Sequence, residues 1–516
     1  MARTSTRGRL RLNGQPLSLA DVLAIAREGR GAVLGRAARA RMEQAHQALL
    51  RLEASGETIY GVTTGVGKLT TVTIPPEDRI ALQHNLLRSH ACGVGPPLPR
   101  EVVRAILLLR AHALAHGYSG VRVEVAERLL ELLNADLLPH LPSRGSVGAS
   151  GDLAPLAHVG LVLIGEGEVM RGEAGRGSAR TALRRARIVP LSLQTKEALS
   201  LINGTQAMAA LGVLACADAR MLLGAAQVAT AASVEALKAT DVPFEDRFAK
   251  LRPHPGQRLI ARNLRALLIE SEILPSHRGC AKVQDPYSLR CAPQILGAVA
   301  DALGHTEEVL QREINAVTDN PLIFPEADHA LSGGNFHGQP LAFVLDYLGL
   351  AIHVLGAVSE RRLARLVDAK LSELPAFLTR HEGLHSGFMV PQYIAAALVS
   401  ETKLLSHPAS ADSLPTSAGQ EDYNSMGMLA ALKAREIVEK AEAVVAIELL
   451  AAAQALEFIP LQPGRGVVAA VAAIRRLVPP LAEDRPMGHE IEQVRALIHS
   501  GELVRAVQRR VPLRLG

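Results

Sequence analysis

The tripeptide Ala149-Ser150-Gly151 carries the atoms of an electrophile that a chain can make from itself. No side chain shields the Gly151 amide nitrogen, which can attack the carbonyl carbon of Ala149 and close a five-membered ring around Ser150. Loss of water, the Ser150 hydroxyl included, then leaves an exocyclic methylidene. The surrounding residues favour such a bend. Residues 145–151 hold three glycines, two serines and an alanine, and glycine permits turns and close approaches that a Cβ forbids. A Gly/Ser cluster is also the ordinary composition of a loop. Two other chemistries are excluded. A nucleophile elbow of the Gly-x-Ser-x-Gly type needs glycine where Asp152 stands. A phosphate loop needs a leading glycine and Gly-Lys-Ser/Thr, but around Gly67-Lys68 those places hold Val62 and Leu69.

Other side chains have types suited to handling a small polar molecule. Tyr60 stands in the glycine-flanked loop Tyr60-Gly61-Val62-Thr63-Thr64-Gly65, and a phenol works as a base once a positive field lowers its pKa. Arg290, in Gln284-Asp285-Pro286-Tyr287-Ser288-Leu289-Arg290, offers a planar fork that grips a carboxylate through two bonds. Ser89-His90, Asn203, Glu421, Phe336 and Met389 add donors, acceptors and apolar surface. Taken singly, each also reads as structure: a tyrosine packed in a turn, a surface arginine, a histidine bonded along a helix, a satisfied core polar group.

Residues 145–158 resemble the signature of the aromatic amino acid lyase family. The likeness recurs at Tyr60-Gly61, Asn203-Gly204-Thr205, 282–291, Asp319-Asn320-Pro321, 332–337 and 417–426, and so runs from about residue 58 to about residue 460. It implies that Ala149, Ser150 and Gly151 become a methylidene-imidazolone (MIO), the electron sink for expelling ammonia from an aromatic amino acid without pyridoxal phosphate or a metal. It also implies that Tyr60 is the base, that Arg290 clamps the substrate carboxylate, and that Asn203, Gln284 and Tyr287 hydrogen-bond substrate or MIO. Phe336 then packs near the ring.

Substrate choice within the resemblance rests on few positions. Ser89-His90 is similar to the histidine-directed branch, where tyrosine and phenylalanine enzymes carry His-Leu and Phe-Leu. Glu421 and Met389 match the same branch, and the phenylalanine enzymes have Gln at the first. An imidazole has a donor and an acceptor to satisfy, and His90 and Glu421 can supply both partners. A benzyl ring gains nothing from a buried carboxylate. The expected reaction is L-histidine to trans-urocanate. The alternatives are a tyrosine, phenylalanine or modified-aromatic ammonia-lyase, a 2,3-aminomutase, and an inactive helical scaffold. Thr63, Val66, Gly419 and Tyr423-Asn424 depart from the histidine pattern. The resemblance further implies a homotetramer whose active sites draw on several chains.

These groups must be positioned by helices. Of the 516 residues, 48% are hydrophobic but only 3% aromatic, and there is no Trp. Alanine and leucine dominate, which favours helix. In 121–133, Val125, Leu129, Leu132 and Leu133 recur at three-to-four spacing. Residues 191–242, 341–374 and 428–459 lack proline and suit long antiparallel helices. The expected fold is mainly α: an N-terminal, mixed, loop-rich region 1–205 carrying the MIO, then a long-helix bundle over 206–516 with a C-terminal helical segment. Residues 70–74 and 188–190 read as short strands, and the Gly-rich 165–178 as an exposed loop.

Net charge is +5, and no basic block with interleaved aromatics appears, so nucleic-acid binding is not indicated. Arg3, Arg7, Arg9 and Arg11 read as a solvated tail. Cys92, Cys216, Cys280 and Cys291 form no Cys-x-x-Cys pair, which suggests reduced cytoplasmic thiols rather than zinc or a disulfide framework. The charge-free run 198–217 holds Ser200, Asn203, Thr205 and Gln206, which argues against a membrane span. No signal peptide is read at the N-terminus.

Overall fold

The computed structural model describes residues 8–172, 175–280 and 282–516. Helices dominate, as the alanine- and leucine-rich composition requires. The longest are Gln206–Ala236, Ala292–Glu313, Gln339–Val367 and Gly427–Leu456. Three of them largely coincide with the proline-free stretches, Gln339–Val367 taking Pro340 into its first turn. The periodic segment near 121–133 forms helix Val123–Asn134, with Val125, Ala126, Leu129, Leu130, Leu132 and Leu133 buried on one face. It stops at Asp136, whose φ of +52° leaves the helical region. Arg3 and Arg7 lie outside the described residues, while Arg9 and Arg11 are exposed.

The β structure differs from the sequence expectation. Four two-stranded sheets occur among the described residues. The 165–178 segment contains an antiparallel pair, Glu168–Arg171 with Gly175–Ser178, in register from Glu168↔Ser178 to Arg171↔Gly175. Residues 70–74 form a turn instead, with Thr73 bridging Thr64 alone. Residues 188–190 join no ladder. β-Branched composition makes a strand only where a partner edge is available.

Two compact units emerge. The first comprises the described residues up to Leu214, with Glu307–Leu345 and Pro408–Leu432; the second comprises Ala215–Thr306, Asp346–His407 and Lys433–Gly516. In the first unit, helix Arg100–Ala115 is buried from Val102 to Ala115, so it forms a central strut. Helices Gln206–Ala236 and Gln339–Val367 are long and apolar enough to cross a membrane, but their apolar windows are 83% and 61% buried within the protein. Such burial is what core helices show.

The second unit is tied by a buried ion pair. The Arg362 guanidinium donates to both Glu448 oxygens, at 2.6 and 2.8 Å, and the hydroxyls of Ser233 and Ser359 donate to the same carboxylate. Both charged side chains are fully buried. Breaking such a pair strands one charge. Arg362→Met should therefore lower stability by about 3–5 kcal/mol, read as an earlier urea midpoint, whereas the double change with Glu448→Leu should recover much of the loss.

Candidate active site

The loop carrying Ala149-Ser150-Gly151 joins strand Pro142–Arg144 to helix Leu153–Leu163. Its shape is set from several sides within the first unit. Gly151 has φ +77°, and a Cβ there would lie 2.3 Å from the Gly204 carbonyl oxygen. Only glycine lets the two backbones touch. Residues 151 and 204 form a parallel bridge, and the Asp152 N–H donates to the Gly204 carbonyl at 2.7 Å. The Asn203 side-chain amide donates to the Ser150 carbonyl at 3.2 Å. On the other side, the Met426 N–H donates to Val147 O and the Gly338 N–H to Gly148 O. The Ser425 hydroxyl also donates to Gly148 O, at 2.9 Å.

Asp152 anchors this loop to a helix end. Its buried carboxylate accepts the Ala207 and Met208 N–H groups, both at 2.9 Å, and the Ser146 hydroxyl at 2.9 Å. Those amides belong to the first turn of helix Gln206–Ala236, where unpaired N–H groups and the positive dipole end favour an anion. Burial still wins and pushes the Asp152 pKa up to about 6, against the three hydrogen bonds.

These residues fit an internal ring. The tripeptide is bent at Gly151 and packed against the backbone of Gly204. The buried Asn203 Oδ1 has no partner among the described residues, so one polar atom at the loop still seeks a bond. Asn203 and Asp152 would hold the finished group.

A cavity of about 440 Å³ opens beside the loop. Tyr60, Ala149, Ser150, Phe336 and Glu421 line it together, so the structure joins five of the residues singled out from sequence. The Ser150 hydroxyl donates to Glu421 Oε1 at 2.7 Å, and the Thr416 hydroxyl donates to Oε2 at 2.6 Å. His90 ends helix Arg79–His90, with Nδ1 2.8 Å from Leu86 O and 3.0 Å from the Ser89 hydroxyl. Burial lowers the His90 pKa, opposed by the Leu86 carbonyl and by the nearby Glu421 carboxylate. The net effect favours the uncharged imidazole. Asn320, His337 and Tyr423 also line the cavity. Thr416 and Asn320 are not singled out from sequence, although Asn320 sits in the motif Asp319-Asn320-Pro321 and Thr416 just before 417–426.

Tyr60 differs from expectation. Its hydroxyl accepts the Gly67 N–H at 2.9 Å, which favours the phenolate. Burial outweighs that bond, the Glu421 charge adds to burial, and the phenol pKa rises. Among the described residues the lining holds Glu421 and Asp422 but neither lysine nor arginine, so the positive field expected at Tyr60 does not come from these walls.

Gln284, Tyr287, Arg290 and Met389 belong to the second unit. Tyr287 and Arg290 share the short helix Tyr287–Arg290, where the guanidinium lies 4.6 Å over the phenol ring. Tyr287 is 68% exposed, and the buried Arg290 Nε has no partner among the described residues. Gln284 is exposed, and Met389 opens helix Met389–Leu405. The first unit's cavity is lined by that unit's residues alone.

The departures from the histidine-type pattern now sort themselves. The Thr63 hydroxyl accepts the Ile59 N–H at 2.8 Å, inside its own loop. Asn424 is buried and its amide donates to Leu414 O and the Thr416 hydroxyl, bracing the segment that carries Glu421. Gly419 sits at φ +84°, a turn position. Only Tyr423 reaches the cavity, where its ring stacks on His337 with centroids 6.5 Å apart.

A family model described as aromatic amino acid lyase matches residues 17–476. The chain belongs to that family. It is 53% identical over 497 residues to a histidine ammonia-lyase of Symbiobacterium thermophilum, covering 96% of this chain and 97% of that one. Among solved structures, the histidine ammonia-lyase from Trypanosoma cruzi superposes with a TM-score of 0.90 at 40% identity, covering 98% of this chain and 96% of that one. The tyrosine aminomutase from Streptomyces globisporus superposes with a TM-score of 0.93 at 36% identity, covering 98% and 100%.

The Glu421 carboxylate touches Ser150 and faces the cavity, so its charge should matter more to turnover than to folding. Glu421→Gln should leave the melting temperature nearly unchanged and lower kcat/KM by about 10²- to 10⁴-fold, read by steady-state kinetics beside a thermal melt.

Proposed function

We propose that this enzyme is a carbon–nitrogen lyase that eliminates ammonia from L-histidine to give trans-urocanate. The observation that carries the reading is the convergence of Tyr60, Ser150, Phe336 and Glu421 on one cavity, with Glu421 bonded to the Ser150 hydroxyl. The histidine ammonia-lyases to which the chain is about half identical support the substrate. A MIO formed from Ala149, Ser150 and Gly151, held by Asn203 and Asp152, would supply the electrophile that makes the substrate amine a better leaving group.

The chain's own side chains do the rest. The Tyr60 oxygen takes a proton from the substrate β-carbon. The electrons of that C–H bond become the new double bond, the Cα–N bond breaks, and ammonia leaves. Glu421 and His90 pair the two imidazole nitrogens, which a benzyl ring cannot reward. Phe336 packs beside the reacting centre. Among the described residues the walls carry neither lysine nor arginine for the substrate carboxylate. Arg290, with Tyr287 and Gln284, fills that need from another copy of the chain in a homotetramer. Tyr347, Leu350 and Val354, at 47%, 48% and 39% exposure on helix Gln339–Val367, form an apolar stripe that such an assembly would cover. The proposed site of the reaction is the cytoplasm, a reading supported by four cysteines that form no Cys-x-x-Cys pair.

The aminomutase reading draws on one observation, Tyr423 in the cavity wall, together with the tyrosine aminomutase likeness. Supplying histidine, tyrosine and phenylalanine separately, and following the ultraviolet absorbance of each acrylate, separates the readings. Histidine alone should turn over strongly. Turnover of tyrosine without histidine would remove the substrate assignment, and recovery of a β-amino acid would make the enzyme a mutase. An intact mass lacking the loss of two waters, with no turnover, would make it a scaffold.

The rate should also climb with pH. Burial and Glu421 raise the Tyr60 pKa, so the basic phenolate is scarce near neutrality and grows as pH rises. A kcat/KM profile flat from about pH 6 to about pH 10 would exclude Tyr60 as the base.

A further inference from the structure

We infer that Arg110 is a positioning residue for ring closure at Ala149-Ser150-Gly151, because it fixes the 200–204 backbone against which that tripeptide is folded. The inference rests on the MIO reading given above.

Arg110 lies on the buried helix Arg100–Ala115 and is itself fully buried. Its Nη1 donates to the carbonyls of Asn203 at 3.2 Å and Thr318 at 2.9 Å, and to Gln206 Oε1 at 3.0 Å. Its Nη2 donates to the Ser200 carbonyl. Helix Glu197–Ile202 ends at Asn203, so two of these acceptors are carbonyls that the helix leaves unpaired at its C-terminus. A cation belongs at that end of the dipole.

The guanidinium also packs on Gly204, which backs directly onto the tripeptide. A Cβ on Gly204 would meet Arg110 Nη1 at 2.3 Å, and a Cβ on Gly151 would meet Gly204 O at the same distance. Gly204 is thus pressed between Arg110 and Gly151. The Asn203 bond to Ser150 O and the Asp152 bond to Gly204 O both hang from this backbone.

The charge arrangement also points to this role. Asp319, the acid nearest in effect on Arg110, is already engaged by Lys196 Nζ at 3.0 Å and by the Asn320 N–H at 2.8 Å. The two Arg110 amino groups are therefore held by these oxygens rather than by an ion pair, while its Nε has no partner among the described residues. Removing it would leave those carbonyls bare in a dry interior, and they would turn away. An intramolecular attack is steeply sensitive to displacements of about 1 Å.

Arg104 is the control. It lies on the same helix, is 7% exposed and donates to the carbonyls of Ile25 and Leu133, so its loss disturbs the fold without reaching 200–204. The full-length chain and its Arg110→Met, Arg110→Lys and Arg104→Met variants are purified as folded protein, checked by circular dichroism and thermal melt, and weighed intact over time. The unaltered chain and Arg104→Met should lose two waters. Arg110→Met should dehydrate ~10- to 100-fold more slowly, with Arg110→Lys, which keeps the charge but not the fork, in between. Should Arg110→Met fail to fold, Arg110→Lys carries the same test against Arg104→Met. Dehydration of folded Arg110 variants at the unaltered rate, or equal slowing in Arg104→Met, would overturn the positioning role while leaving the MIO reading intact. An unaltered chain that keeps both waters would overturn both.

Discussion

Everything at the site hangs from one backbone contact, Gly151 against Gly204. It is possible only because neither residue carries a Cβ. The contact makes the bridge that carries the Asp152–Gly204 bond, and it brings Asn203 over Ser150. The next residues continue the same logic. Asp152 points its carboxylate at the first turn of helix Gln206–Ala236 and binds two of its free amides. The strongest dipole end in the neighbourhood is thereby spent on holding a loop. That is a structural use of a feature that elsewhere receives anionic ligands, and it leaves the tripeptide folded before any substrate arrives.

The second constraint is electrostatic. Among the described residues the cavity is walled by Glu421 and Asp422 with neither lysine nor arginine. An α-amino acid brings a carboxylate, and a buried carboxylate without a partner is costly. The same walls raise the Tyr60 pKa where a catalytic base needs it lowered. Both deficits have the sign that a single added cation would correct. Arg290, stacked on an exposed tyrosine with an unpartnered Nε, is a cation of the right kind for that role in the proposed assembly.

What the sequence disclosed follows physical lines. The loop at 145–152 could be read because glycine spacing and the tripeptide have a chemical meaning of their own. The long helices could be read because proline is absent from 191–242, 341–374 and 428–459. The pair at 168–178 could not, because Gly175-Arg176-Gly177-Ser178 has no apolar alternation; its ladder comes from register with Glu168–Arg171 and an Arg176–Glu168 ion pair at 3.2 Å. The run 70–74 misled in the opposite direction, with strand-like residues and no edge to join. Arg110 was illegible for a third reason. It stands in Leu107-Leu108-Leu109-Arg110-Ala111, and nothing local says that its acceptors lie near residues 200, 203 and 318.

The positions that set chemistry and those that set selectivity differ in how they are held. Gly151, Asp152, Asn203 and Arg110 are fixed by backbone bonds and close packing, so they tolerate little change. Glu421 is held by two hydroxyls, one of which belongs to Ser150 itself. In the proposed reaction, dehydration of Ser150 would remove that donor. The Glu421 Oε1 lone pairs would then be free for the polar edge of a substrate ring, while the Thr416 hydroxyl would keep the carboxylate in place. In the proposed reaction the step that makes the electrophile thus also unmasks the acceptor that reads the substrate, which explains why one glutamate can sit against the tripeptide and still select an imidazole.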